Sequence, residues 1–250
     1  MLGCGRLWHS LDRGEHWTER SVLPDGGVLT VQDDLNLWYM INAVGYSTAP
    51  WLATLPVSCK GTLMHSSDAG ASWDTMDTTF GAECLNLMAA PGGALFANGW
   101  WAGGFWRSAN QGVTWSRVGP AELDANWRWL GPLPASYFLD ARLGWRSDIG
   151  TRLLYRTIDG GLTWIASPWP EMPDLPSTVD VKGIRFIDPL NGWAVGGNGM
   201  VLASSDGGVT WVRQTSGTAA DLFAVHAVDA QTAWISGAAG VLLATGTGGR

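Results

Sequence analysis

The sequence predicts an all-β protein, a β-propeller built from four-stranded antiparallel blades. Three observations carry that expectation: a turn motif of fixed form that recurs along the chain, a second motif that recurs in step with it, and a composition rich in glycine and tryptophan but poor in charge. The best-formed copy of the whole unit runs from Ile184 to Arg213. Ile184 to Phe186 is a β-rich run, Asp188-Pro189 and Asn191-Gly192 carry turn chemistry, and Trp193-Ala194-Val195 is a second strand. Gly196-Gly197-Asn198-Gly199 is a second turn and Met200 to Ala203 a third strand. The polar turn Ser204-Ser205-Asp206-Gly207-Gly208-Val209-Thr210-Trp211 then opens a fourth. Four short strands in about 40 residues make one propeller blade.

The polar turn recurs around Asp12 and Trp17, Asp68 and Trp73, Asn110 and Trp115, and Asp159 and Trp164, before Asp206 and Trp211. The closing tryptophans are 56, 42, 49 and 47 residues apart. A sixth copy, Thr245 to Gly249, lacks the aspartate. The first half of the unit repeats separately, as Phe138-Leu139-Asp140 with Gly144-Trp145, Val31-Gln32-Asp33 with Trp38, and Ala227-Val228-Asp229 with Trp234. Ala89 to Phe96 is a weaker copy with Pro91 in the aspartate's place. Blades are therefore expected at 27–77, 82–119, 128–168 and 178–216, with partial blades at 1–21 and 219–250, all in one domain spanning 1–250. That is about five to six blades' worth of chain. Aligning Asp12 with Asp206 places the third strand twice, once at each end. Four units plus one composite blade would close a five-bladed ring; a piece of a larger ring is slightly favoured.

The turn's residues have a physical reason. An aspartate two positions into a tight turn accepts hydrogen bonds from the backbone N–H groups that follow, and a glycine two residues later tolerates positive φ. The Ser/Thr hydroxyls add local bonds, and the tryptophan anchors the hairpin. Asp12, Asp68, Asn110, Asp159 and Asp206 are thus expected to be structural, because the turns supply no neighbouring ligands for a metal ion or partners for catalysis.

The S/T-x-D-x-G-x-S/T-W turn resembles that of BNR or Asp-box repeat proteins. The stretch from Phe186 to Trp211 is similar to the photosystem II stability and assembly factor-like branch, and the likeness covers nearly the whole chain. It implies the propeller fold and a periplasmic or extracellular location, although no basic segment followed by an apolar one opens this chain, so a cytoplasmic location stays open. It does not imply one chemistry, because Asp-box blades occur in sialidases, xyloglucanase-type hydrolases, sortilin-like receptors and assembly factors alike.

Charged residues make up 15% of the chain, against 34 glycines and 17 tryptophans, which suits short strands joined by tight turns. The net charge of −7 argues against a nucleic-acid partner. No apolar run reaches the length of a membrane span. Cys4, Cys59 and Cys84 lack CxxC spacing and read as free thiols ahead of a Cys59–Cys84 bridge, and the four histidines form no ligand pair. No metal and no cofactor are expected.

Function in propellers sits in loops added to the blades, so the departures from the unit are the informative places. They are Asn42 to Lys60, Trp100 to Trp106, Glu122 to Pro134, and Ser167 to Ser177. Nine of the 17 tryptophans occupy box or second-strand positions, and Trp8 and Trp106 fall on third strands. The rest, Trp51, Trp100, Trp101, Trp127, Trp129 and Trp169, are candidates for an exposed binding face together with Arg128. Arg142 and Arg146, with Arg152 and Arg185, could line an arginine patch. The favoured function is a non-catalytic binding or assembly scaffold that presents a loop-rich face to a protein or glycan. The alternative is a glycoside hydrolase, sialidase-like or xyloglucanase-like, which needs two carboxylates within several ångströms. Outside the turns, Asp124 and Glu171 are the weak catalytic candidates, with Asp148 and Asp221 also available. No sialidase-type Arg-Ile-Pro segment precedes the first box.

Overall fold

A computed structural model describes residues 2–3, 5–24, 27–46, 56–76, 85–99, 105–119, 135–148, 152–176 and 179–249. The chain is all-β, with short antiparallel strands in the blade order of a β-propeller. It divides into two compact units, Met1–Leu130 and Gly131–Arg250.

Among the described residues the first unit holds three sheets. The first sheet comprises β1 (Leu2–Gly3), β2 (Arg6–His9) and β3 (Thr18–Val22). The second is β4 (Gly27–Val31), β5 (Leu37–Tyr46), β6 (Pro56–Ser66) and β7 (Asp74–Met76). The third is β8 (Leu85–Ala89), β9 (Leu95–Gly99), β10 (Phe105–Ser108) and β11 (Ser116–Val118). The 42–60 departure is partly strand rather than loop: β5 and β6 pair from Leu37 with Ser66 out to Tyr46 with Pro56.

Among the described residues the second unit holds three more. The fourth sheet is β12 (Ser136–Phe138), β13 (Gly144–Ser147), β14 (Leu153–Thr157) and β15 (Ile165–Pro168). The fifth is β16 (Val181–Phe186), β17 (Gly192–Gly196), β18 (Val201–Ser204) and β19 (Val212–Gln214). The sixth is β20 (Leu222–Ala227), β21 (Ala233–Gly237) and β22 (Leu242–Thr245).

Within each unit the layers between neighbouring sheets are apolar. Leu7, Leu23, Leu37 and Tyr39 pack together, and Trp38, Met40, Leu63, Leu87 and Leu95 form the next layer. In the second unit the largest cluster gathers Trp145, Leu154, Phe186, Met200, Leu202 and Trp211. Second-strand tryptophans Trp38, Trp145 and Trp193 are buried, as their repeat position predicts, whereas Trp234 is half exposed. Trp145 lies flat on Phe186, with ring centroids 3.5 Å apart, and donates its Nε1–H to the carbonyl of Gly207 in the next sheet's box turn at 2.7 Å. Ser167 Oγ donates to Gly208 O at 2.6 Å. Neighbouring sheets are thus joined by hydrogen bonds as well as by apolar area. Gly208 sits at φ +83°, and a Cβ there would meet Trp145 Nε1 at 2.8 Å, so the glycine serves both the turn and the joint.

Candidate functional site

The two ends of the sheets are built differently. At the end holding the strand 3–4 and strand 1–2 turns, the hydrogen bonds repeat copy by copy. The first box residue donates its hydroxyl to the aspartate in four copies, at 2.7 Å from Ser10 and 2.8 Å from Ser66, Thr157 and Ser204. The same oxygen accepts the glycine N–H four residues on, at 2.7–2.9 Å in six copies including Gly249. The Asp Oδ1 accepts the N–H of the residue before the tryptophan at 2.9 Å, at His16, Ser72, Thr163 and Thr210. Asn110 reproduces this with its carbonyl, and its amide donates to Thr114 Oγ1, whereas elsewhere the hydroxyl donates to the carboxylate.

The strand 1–2 turns repeat a second pattern that the sequence shows only as spacing. Asp33, Asp140, Asp188 and Asp229 each accept two backbone N–H groups, two and three residues on. A carbonyl of that turn then accepts the N–H of the residue before the box glycine: Leu35 from Ala69, Arg142 from Gly160, Leu190 from Gly207 and Gln231 from Gly248. These bonds favour the ionised carboxylate. The backbone N–H of His16, Ser10 Oγ–H and His16 itself hold Asp12 down at about 2. In Asp206 and Asp159 burial pushes the carboxyl up, but the bonds from Thr210 and Thr163 outweigh it and the result is lowered. The box side chains thus spend their bonds within their own turns. Asp12, Glu15 and His16 bring ligand atoms within 4.8 Å of one another at the exposed first box, where His16 takes the place of the Ser/Thr and bonds the aspartate's second oxygen.

At the opposite end, the strand 2–3 turns of the fifth and sixth sheets share one form, Gly197–Gly199 and Ala238–Gly240 with the middle residue at φ +52° and +55°, whereas the described connections that leave the fourth and fifth sheets differ from each other in sequence and length. Where the structure describes this end, in the second unit, it forms a groove of about 850 Å³ lined by Asp174 to Pro176, Asn198, Gly199 and Arg213 to Ala219. Its walls are fixed. Trp169 and Met172 anchor the 167–176 connection in the core, and Arg152 Nη2 donates to the carbonyls of Leu175 and Pro176 at 3.3 and 3.0 Å. Asn198, at φ +52°, donates its N–H to Asp221 Oδ1 at 3.0 Å, and Gly199 N–H bonds Ala220 O at 2.8 Å. The 215–219 segment is turned by bonds within itself, Ser216 Oγ to Thr218 O and Ala220 N to Thr218 Oγ1, both 3.1 Å. Along the groove Arg213 grips Asp174 through two bonds of 2.5 and 2.7 Å. That contact holds the Asp174 carboxyl below its ordinary range. Both side chains keep roughly half their surface in solvent, so the pair is accessible to a partner. Lys182 stands nearby, 3.4 Å from Asp180 and 3.7 Å from Asp221.

The sequence-predicted residues divide. Trp169 is not on the surface: it is 8% exposed and packs with Met172 and Val179, so its place in a departing loop misled the expectation. Arg146 is likewise interior, 2% exposed, with its guanidinium 5.5 Å over the Tyr155 ring and 5.3 Å over the Trp164 ring. Nor do the arginines form one patch. Arg142 is exposed at the box end, where its Nε–H reaches Ile158 O, Arg152 is at the groove end, and Arg185 lies 5.0 Å over Tyr137. Trp51, Trp100, Trp101, Trp127, Arg128, Trp129 and Asp124 lie outside the described residues, as do Cys4 and Cys84. Glu171 is exposed in the 167–176 connection, and Asp221 is engaged with Asn198 and Lys182. Every carboxyl with a displaced pKa among the described residues is lowered, from Asp12 to Asp229, by hydrogen bonds within its own turn or, for Asp174, from Arg213. Sequence reasoning missed Asp174 with Arg213, because 39 residues separate them and neither belongs to a motif.

Repeated sheets and box turns define the class of β-propellers with Asp-box turns. Within that class the chain resembles the photosystem II assembly factors: residues 163–250 match the family described as photosynthesis system II assembly factor YCF48. The chain is 34% identical over 94 residues to photosystem II stability/assembly factor HCF136 of Arabidopsis thaliana, covering 35% of this chain and 23% of that protein. It spans about a quarter or less of the length of the curated relatives it matches. Among solved structures, YCF48 bound to D1 peptide superposes with a TM-score of 0.51 at 15% identity, covering 97% of this chain and 85% of that one. The GH74 enzyme of Niastella koreensis superposes with a TM-score of 0.63 at 17% identity over 90% of this chain and 37% of that one. At such identities these two likenesses are of fold. No helix of the described residues is long and apolar enough to cross a membrane.

Proposed function

We propose that the chain is a non-catalytic assembly scaffold whose variable strand ends hold an extended segment of a partner protein, outside the cytoplasm. The observation that carries this reading is the 850 Å³ groove with the half-exposed Arg213–Asp174 pair on its wall. Backbone amides, carbonyls and small hydroxyls line it, the groups that bond a peptide main chain, and a guanidinium offers a fork for a carboxylate. The resemblance to assembly factors supports a binding role over a hydrolytic one. The relative solved with D1 peptide supplies the probe. Titrating the chain with D1 peptide by calorimetry should show saturable binding that falls at least tenfold in Arg213→Ala, with no hydrolysis of xyloglucan or aryl glycosides. Turnover of a glycoside, lost on substituting Glu171 or Asp221, would replace this reading with the enzymatic one. Fractionation of the source cells tests the location.

A further inference from the structure

Each of the two walls of the groove is held by bonds of its own. Gly199 lies so close to the 215–219 segment that a Cβ there would stand 1.9 Å from Thr218 O, and its N–H bonds Ala220 O, so the strand 2–3 turn and that segment form one wall. The 174–176 wall is tied from behind. Arg152 holds the carbonyls of Leu175 and Pro176, Leu175 N–H bonds Met172 O, and Val179 N–H bonds Pro176 O, the last two at 3.1 Å. Among the described residues, the hydrogen bonds that join one wall to the other are those of Arg213 with Asp174 and no others.

The bridge is closed on itself. Asp174 presents one carboxylate oxygen to each Nη of Arg213, at 2.5 and 2.7 Å, so the guanidinium fork holds the chain's own carboxylate and the two charges cancel. The other polar side chains that line the groove, Asn198, Gln214, Thr215, Ser216 and Thr218, carry no charge. The bridge can also open, because 38% of the Arg213 side chain and 57% of the Asp174 side chain lie in solvent, where an ion pair is held only weakly. We infer that the bridge is a strap: it opens to admit an extended segment, closes over it and slows its escape, and the occupant is an uncharged stretch of polypeptide held through its main chain and small polar side chains. The strap rests on the peptide-groove reading and sharpens it, since it retains the occupant without pairing with a charge on it.

The test follows, by stopped-flow anisotropy, the dissociation of the fluorescently labelled peptide probe of the binding test from the whole chain. Arg213→Ala and Asp174→Ala should each raise the off-rate about tenfold. Arg213→Asp combined with Asp174→Arg rebuilds the bridge with its ends exchanged, and should return the off-rate to within about twofold of the parent. Converting every carboxyl group of the peptide to its amide should leave the affinity unchanged. A double variant no better than the single ones, or an amidated peptide that binds tenfold more weakly, overturns the strap, because Arg213 would then hold the occupant directly; the groove reading survives either result. A parent chain that does not bind the peptide removes the groove reading and the strap with it.

Discussion

The box ends of the sheets and the groove end are made from the same strands under opposite constraints. At the box end, the motif's polar side chains are committed to neighbours two to four residues away, and the strand 1–2 turn bonds the strand 3–4 turn across the sheet. Changing one residue therefore removes several bonds at once. At the groove end the connections between sheets have no common form, and two of their flanking side chains, Arg213 and Asp174, bond each other at a surface open to solvent. The repeated end keeps the sheets in register while the released end is free to acquire a partner. Repetition of form within the chain marks the box end as scaffold.

Perturbations at the two ends should separate stability from binding. The largest effect is expected at the joint: Trp145→Ala removes a fully buried ring and its bond to Gly207 and should cost about 3–5 kcal/mol in chemical denaturation. A change under 1 kcal/mol would show that the joint does not carry the fold. Next, Asp206→Ala strips acceptors from Ser204, Val209 and Thr210 and should cost roughly 2 kcal/mol. Asp206→Asn should stay within about 1 kcal/mol of the parent, because Asn110 already fills that position in the third box with the same backbone bond. Smaller still, Asp174→Ala should change stability by less than about 1 kcal/mol, the usual worth of an exposed ion pair, yet reduce peptide binding by an order of magnitude.

Most of the pH response belongs to the box end, with Asp174 of the groove lowered as well. Asp12 sits at about 2 against an ordinary 3.8, and Asp33, Asp159, Asp188, Asp206 and Asp229 are lowered as well. A carboxyl whose folded pKa is depressed contributes stability above its unfolded pKa and loses it as pH falls through the folded value. Tm should therefore hold steady from neutral pH to just above 3.8 and drop between there and about 2, with a shallower drop in Asp206→Asn. A fall that is already complete by pH 5 would point to other groups.

The strands, the box turns and the burial of Trp38, Trp145 and Trp193 were legible because a repeat writes the same physical demand several times. Trp169 and Arg146 were not. Trp169 sits in a connection whose sequence carries no periodicity, and only Met172 and Val179 packing on it reveal an interior position. Arg146 stands where the fifth sheet has Ala194, and its burial depends on the Tyr155 and Trp164 rings that cover it. The groove left no signature, since glycines, serines and threonines line it and its charge pair spans 39 residues.

Hydrogen exchange read by mass spectrometry, with and without the peptide probe of the binding test, addresses the division between the two ends most directly. The account predicts slowed exchange at 174–176, 198–199 and 213–219, and unchanged exchange at the box turns around Asp12, Asp68, Asp159 and Asp206. Protection confined to the box turns, with the groove segments unaltered, would contradict it.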